Sequence, residues 1–293
     1  MKRLGFVLAL GGLLVVVDTT VTVVAVPAMV SGLGTTLAAI QWVTTAYLLG
    51  IVAVIPVAGW ASDRFGARRV YLVALGIFTV CSVAAGLAGN AATLAVFRAL
   101  QGVGGGLLNP VGQTIGMRAV PREQRGRLMA MLGLPLIVGP VLGPPLSGWL
   151  VDAASWRWIF LINLPVGALA IVLCARFLPR DPPTEFPVRR IDWPGLALLP
   201  AGGTGIVLGC TLIPHATGFA TLAAGLLLVT AFVARAVRIA APLVDLRLLR
   251  VRLFATGVGM LTAFGAAYFG ALTVLPLFVQ GVRGDPAAPG PVS

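Results

Sequence analysis

The sequence is short of charge. Asp, Glu, Lys and Arg make up 10% of its 293 residues, and 58% are hydrophobic. Soluble globular chains carry about a quarter charged residues, so a soluble domain is excluded. Acidic residues are scarcer still, nine against 21 basic, and histidine occurs once, at His215. The three cysteines, Cys81, Cys174 and Cys210, all fall inside apolar runs without ligand spacing. A metal site, a disulfide framework and a nucleophile–base pair are therefore not expected, and the cysteines read as small packing residues. An enzyme embedded in the membrane lacks the side chains it would need. His215 falls in a short turn and reads as a solvated loop residue.

What the chain has instead is long apolar runs, with a mean hydropathy of +1.00. Several approach or exceed the roughly 20 residues that cross a bilayer as a helix, and the alternation of a membrane barrel is absent. The reading is an all-α polytopic membrane protein with nine spans, at 5–29, 41–60, 70–89, 92–116, 128–150, 157–178, 193–213, 217–238 and 254–280. The start, "MKRLGFVLALGG", looks like a signal peptide but continues through Pro27 without an A-x-A cleavage pattern, so it is read as a retained first span. The net charge of +12 does not point to nucleic acid, because the arginines are parcelled into short clusters between the runs. An N-terminus in the cytosol places all but Arg98, Arg157 and Arg283 of the 21 basic residues on the inner side, as the positive-inside rule requires. The location implied is the cytoplasmic membrane. "PRDPPTEFPVRRID", 179–192, is the longest polar break and the candidate domain boundary, and the tail "GVRGDPAAPGPVS" is not expected to be ordered on its own.

Two charges stand inside the spans. Asp18 lies thirteen residues above Gly5 in span one, roughly 20 Å up at 1.5 Å per residue. Arg98 lies six residues, roughly 9 Å, below the opposite end of span four. In a core of about 30 Å these depths nearly coincide, and pairing is the cheapest way to keep both. Two readings follow: a structural ion pair locking two helices, or a proton-titratable site, since intramembrane acids usually mark substrate or proton pathways. On span four Arg98, Gln101, Gly102, Gly105, Gly106, Asn109 and Gln113 recur at three- and four-residue steps on one face, suited to close packing or to a watery cavity. Gln101, Asn109 and Gln113, with Thr22 on span one, are the candidate cavity lining.

"GWASDRFGARR", 59–69, sits in the turn between spans two and three. Asp63 there is placed to cap the following helix or to take a salt bridge from an arginine across the domain. Gly59 and Gly66 would permit close helix approach and the turn. In "PLIVGPVLGPPLSGWL", 135–150, the prolines predict a bent span five, and Gly139 and Gly143 form a Gly-x-x-x-Gly contact. "GVGGG" at 102–106 lies within a span and is not a phosphate loop.

These stretches resemble the major facilitator superfamily, and within it the fourteen-span drug:proton antiporters. "GWASDRFGARR" is similar to the superfamily loop G-x-L-a-D-r-x-G-r-r, on which Gly59, Asp63, Arg64, Gly66, Arg68 and Arg69 fall. "LAVFRALQGVGGG" resembles the span-four pattern l-x-x-x-R-x-x-q-G-x-g-a through Arg98, Gln101, Gly102 and Gly104. "VVDTTVTVVAVP" resembles L-D-x-T-x-x-N-V-A-L-P through Asp18, Thr20, Ala25 and Pro27, with Val23 where asparagine is usual. In span five Gly139, Pro140 and Gly143 match the antiporter pattern, and Pro135 and Pro144 replace its glycines. "SWRWIFLINLPVGAL" and "RRIDWPGLALL" look like the starts of spans six and seven in the fourteen-span branch.

The resemblance implies an N-terminal six-helix bundle at 1–178, a linker and two inserted helices at 179–240, and at 241–293 the first helix of an incomplete second bundle. It implies proton-coupled efflux of drugs or other small hydrophobic molecules, with Asp18 and Arg98 coupling the proton and 59–69 acting as a cytosolic latch. The energy source would be the proton gradient, without a cofactor, and the partners a hydrophobic substrate and the lipid bilayer. Because such sites lie between two repeats, this length alone would carry half a pathway and need the missing bundle or another chain. A transporter of one specific metabolite, or a truncated membrane protein that does not transport, are the rival expectations.

Overall fold

The computed structural model describes residues 2–181, 192–213, 215–239 and 244–283, with the backbone alone at 268, 269 and 271–283. Most of the 179–192 break, including Arg189 and Arg190, and most of the C-terminal tail lie outside the described residues. The chain divides into two compact units, 1–243 and 244–293.

The first unit is all helix: α1 (Lys2–Val24), α2 (Val26–Leu33), α3 (Leu37–Val54), α4 (Val57–Phe65), α5 (Ala67–Gly86), α6 (Ala91–Ala119), α7 (Arg122–Ala153), α8 (Trp158–Leu161), α9 (Asn163–Phe177), α10 (Trp193–Thr211) and α11 (Ala216–Arg238). In the second unit a 3₁₀ turn, Leu246–Arg250, precedes α12 (Arg252–Arg283). Eight helices among the described residues are long and apolar enough to cross a membrane, α8 and α9 counting as one. All eight fall on expected spans, and this is an all-α polytopic membrane fold. The ninth expected span coincides with α12, whose apolar stretch among the described residues runs from Arg252 to Ala267.

Local chemistry explains where these helices start. Thr36 Oγ1 accepts from Ala39 N–H, Asn90 Oδ1 from Thr93 N–H at 2.8 Å, and Asp192 Oδ1 from Gly195 N–H at 3.0 Å. Each satisfies a donor the first helical turn leaves free. Breaks occur at Ala25, just before Pro27, and at Ile55–Pro56. Span five is continuous: α7 runs as one helix through Pro135, Pro140, Pro144 and Pro145.

Packing inverts the pattern of a soluble protein. On α5 the inward stripe is Tyr71, Ala74, Leu75, Phe78, Thr79 and Ser82, whereas Val73, Val80 and Leu87, seven residues apart, point outward. Lipid is as apolar as the interior, so shape and small residues decide which face packs. The central helix is α6, held between α3 and α5. A Cβ at Gly102 would strike the Tyr47 carbonyl on α3, and one at Gly104 would lie 2.7 Å from the Ala74 carbonyl on α5. α1 packs on α7, and the α10–α11 hairpin lies against α3.

Gly59 behaves otherwise. It is exposed, and a Cβ there would meet nothing, so its expected role in close helix approach is not seen. The replacement Gly104→Val is expected to push α6 off α5 and cost about 1–3 kcal/mol. Gly59→Ala should leave stability unchanged or raise it by up to about 1 kcal/mol through helix propensity. Thermal unfolding in detergent checks both, and equal effects would contradict the packing described.

Candidate functional site

The interior of the first unit is layered. One apolar cluster gathers Leu8, Leu14, Val15, Tyr71, Phe78, Leu107, Val111, Ala170 and Cys174. A second gathers Val21, Met29, Ile40, Ala85, Leu94, Trp156 and Phe160. Between the two clusters each of four helices carries a buried polar side chain: Asp18 on α1, Ser82 on α5, Arg98 and Gln101 on α6, and Asn163 at the start of α9. All five are buried.

They form one network. Arg98 Nη1 donates to Asp18 Oδ2 at 2.5 Å and to Gln101 Oε1 at 2.9 Å. Asp18 Oδ1 accepts from Gln101 Nε2 at 2.9 Å and from Asn163 Nδ2 at 2.8 Å. Asn163 Nδ2 also donates to Ser82 Oγ at 3.0 Å, and Ser82 Oγ donates to the Phe160 carbonyl at 2.9 Å. The guanidinium carbon sits 4.0 Å from the centre of the Tyr47 ring and 5.5 Å from that of Phe160, close enough for cation–π attraction. Side-chain exposure of both Asp18 and Arg98 is 0%, so the pair is closed to its surroundings in this conformation. Two members of the network, Asn163 and Ser82, were not among the sequence candidates. The signal for Asn163 was present, a lone amide in the apolar run "IFLINLP".

The cavity candidates separate. Thr22 is fully buried, and its hydroxyl donates to the Asp18 carbonyl one turn back at 2.6 Å, so it lines no open cavity here. Gln101 is likewise fully buried and serves the ion pair. Asn109 and Gln113 are exposed, eleven and fifteen residues along α6 from Arg98, and stand outside the network. Gly139 and Gly143 are buried against α1, where a Cβ at either would strike Val16 or Thr20. Thr20 Oγ1 lies 3.4 Å from the Gly139 carbonyl. Pro140 is half-buried beside them.

The 59–69 motif, carried by α4 and the start of α5, is tied to α6 and α9. Asp63 caps nothing; its Oδ1 accepts from Arg118 Nη2 at the end of α6, at 2.7 Å, with the two side chains 55% and 52% exposed. A pair that exposed is worth about 1 kcal/mol or less and is easily opened. Gly66 adopts φ +90°, a conformation that favours glycine, and the turn it makes delivers the chain into α5. The cap of α5 is Asp181, which the sequence reading did not single out: Oδ1 accepts from Arg68 N–H at 2.9 Å and Oδ2 from Arg69 N–H at 3.4 Å. Arg68 Nη2 in turn donates to the Ala175 carbonyl on α9. Arg64 is exposed in the last turn of α4.

Breaking a buried ion pair leaves an uncompensated charge at a cost of about 3–5 kcal/mol. Asp18→Ala and Arg98→Ala are each expected to destabilise on that scale, and the double replacement to cost clearly less than their sum. Unfolding in detergent measures the cycle; additive losses would mean the two side chains do not interact. Asp181→Ala should cost about 0.5–2 kcal/mol, the usual range for a lost cap.

Residues 8–292 match the family model described as Major Facilitator Superfamily. The chain is 40% identical over 294 residues to a multidrug resistance protein B homolog of Mycobacterium tuberculosis, covering 96% of this chain and 53% of that protein. It is 35% identical over 259 residues to a putative multidrug resistance protein, MdtD, of Escherichia coli, covering 86% and 54%. The chain thus spans about half the length of the curated relatives it matches. Among solved structures, the POT family transporter PepTSo aligns with a TM-score of 0.58 at 16% identity, over 79% of this chain and 52% of that one. The xylose transporter XylE from Escherichia coli aligns with a TM-score of 0.55 at 18% identity, over 80% and 57%. Family and fold are those of transporters rather than enzymes, and the chain belongs to the Major Facilitator Superfamily.

Proposed function

We propose that this chain serves proton-coupled efflux of drugs or other small hydrophobic molecules, with Asp18 as the proton-carrying group and Arg98 as its counter-charge. The observation that carries the reading is the position of Asp18. Among the described residues it is the one carboxylate in the middle of a crossing helix, and its only charged partner is Arg98 from another helix. A carboxylate that takes up a proton loses its charge and with it much of its hold on the cation, so protonation of Asp18 and movement of Arg98 are coupled. Two curated relatives bear the name multidrug resistance, which supports export of hydrophobic compounds over uptake of a single metabolite.

On the same reading the antiporters of fourteen spans are the branch, and the N-terminus is cytosolic. Residues 1–178 form the first six-helix bundle, 179–240 a linker with two inserted helices, and 241–293 open a second bundle. The Asp63–Arg118 pair, with Gly66, Arg64, Arg68 and Arg69, is a cytosolic latch whose weakness lets it cycle. Asn109 and Gln113 face the substrate path, and Gly139, Pro140 and Gly143 provide the smooth surface on which α1 and α7 shift.

The test is ethidium efflux from proteoliposomes carrying the full-length gene product under an imposed pH gradient. Asp18→Asn is expected to reduce gradient-driven efflux at least tenfold while ethidium exchange without a gradient persists. Unchanged gradient-driven efflux overturns the proposal.

A further inference from the structure

We propose that Asn163 is the positioning residue that turns over when Asp18 takes up its proton, changing from donor to acceptor and passing the event to the break between α8 and α9. This rests on the reading of Asp18 as the proton carrier.

The inference follows from counting donors. Asp18 receives three hydrogen bonds, at Oδ2 from Arg98 and at Oδ1 from Gln101 and Asn163. An ionised carboxylate only accepts, so three donors suit it, whereas a carboxylic acid must also donate. When a proton from water binds at Oδ1, its O–H needs an acceptor, and the groups facing it in this arrangement present N–H. Arg98 has no acceptor to offer. Gln101 is locked, because its Oε1 already accepts from Arg98 Nη1 at 2.9 Å; turned over, its NH₂ would confront the guanidinium.

Asn163 has no such restraint. Its Nδ2 gives one hydrogen to Asp18 and the other to Ser82 Oγ at 3.0 Å. Turned by half a rotation, its oxygen faces two groups that can both donate. Asp18 donates as an acid, and Ser82 donates by swinging its hydrogen away from the Phe160 carbonyl. The one covalent exchange is the proton's: an O–H bond of a hydronium ion breaks, leaving water, as the O–H on Asp18 forms. One N–H···O bond becomes one O–H···O bond on each side of the amide. The swap withdraws a hydrogen bond from Phe160, the third residue of the four-residue helix α8, three residues before α9 begins. Elsewhere around the acid, the titratable groups facing it are Arg98 from α6 and Tyr47 from α3, whose ring lies against the guanidinium. α7 meets the neighbouring turns of α1 through Gly143 at Thr20 and Ser147 at the Val21 carbonyl.

The experiment is pH-difference infrared spectroscopy of the protein in lipid bilayers, which needs no substrate. Acidification of the unmutated protein should produce a carboxyl band that Asp18→Asn abolishes, together with a side-chain amide change that carbon-13 labelling of asparagine shifts. In Asn163→Leu the amide change should vanish and the carboxyl band move to higher wavenumber, because its O–H has lost its acceptor. Should Asn163→Leu not fold, the labelled amide change in the unmutated protein decides alone. A carboxyl band without a label-sensitive amide change, or one at the same position in Asn163→Leu, overturns the role of Asn163 and leaves proton uptake by Asp18 standing. If no Asp18 carboxyl band forms across the pH range in which the protein stays folded, the proton-carrying reading falls and the turnover of Asn163 with it.

Discussion

Two opposite charges taken out of water are tolerated only while both stay together and their remaining hydrogen-bonding groups find partners. Asp18 meets that condition in full and Arg98 in part, through four helical segments; Arg98 Nε and Nη2 have no hydrogen-bond partner among the described residues, and the guanidinium lies beside the Tyr47 and Phe160 rings instead. α1 and α6 supply the charges, α6 adds Gln101, α9 adds Asn163, and α5 adds Ser82 behind it. Each of these helices must therefore cross the polar layer at the right height and with the right face inward. Because the layer lies between two apolar clusters, sliding any one helix would carry a polar group into an apolar layer. The pair thereby fixes helix register in a medium where hydrophobic burial cannot.

The same constraint explains the glycines of α6. An arginine fully buried beside Tyr47 of α3 and Phe160 of α8 needs α3 close, and Gly102 lets that backbone approach; Gly104 does the same for α5, which carries Ser82. By contrast the contacts at the 59–69 motif are exposed and individually weak. One end of the bundle is thus held by interactions that open at little cost, while its middle is held by one that does not.

The helices were largely legible in the sequence, because runs of about 20 apolar residues have few other uses. The pairing of Asp18 with Arg98 was legible too, since helical rise alone sets both at similar depth. What sequence could not show is which polar side chains complete the network. Asn163 and Ser82 lie 145 and 64 residues from Asp18, and no local spacing links them. Asp181 is as remote from the α5 start it caps, so of the two roles the sequence offered for Asp63 the cap falls to Asp181, and the salt bridge from an arginine across the domain is the one observed. Thr22 and Gln101 were assigned to a cavity because polarity on a membrane helix suits either water or an internal partner. Only packing reveals that both face inward to the acid's surroundings. The prolines of span five do not end its helix, and α7 stays helical throughout, whereas the helices break at Ala25 and at Ile55–Pro56.

The central claim is that this one carboxylate and this one guanidinium are in contact inside the bundle. Solid-state NMR of the protein in lipid bilayers, with labelled aspartate and arginine, measures the dipolar coupling between the Asp18 carboxyl carbon and the Arg98 guanidinium nitrogens. A strong coupling at neutral pH, lost in Arg98→Lys, is the expected result. A coupling too weak for direct contact, with both side chains hydrated or facing lipid, would contradict the account.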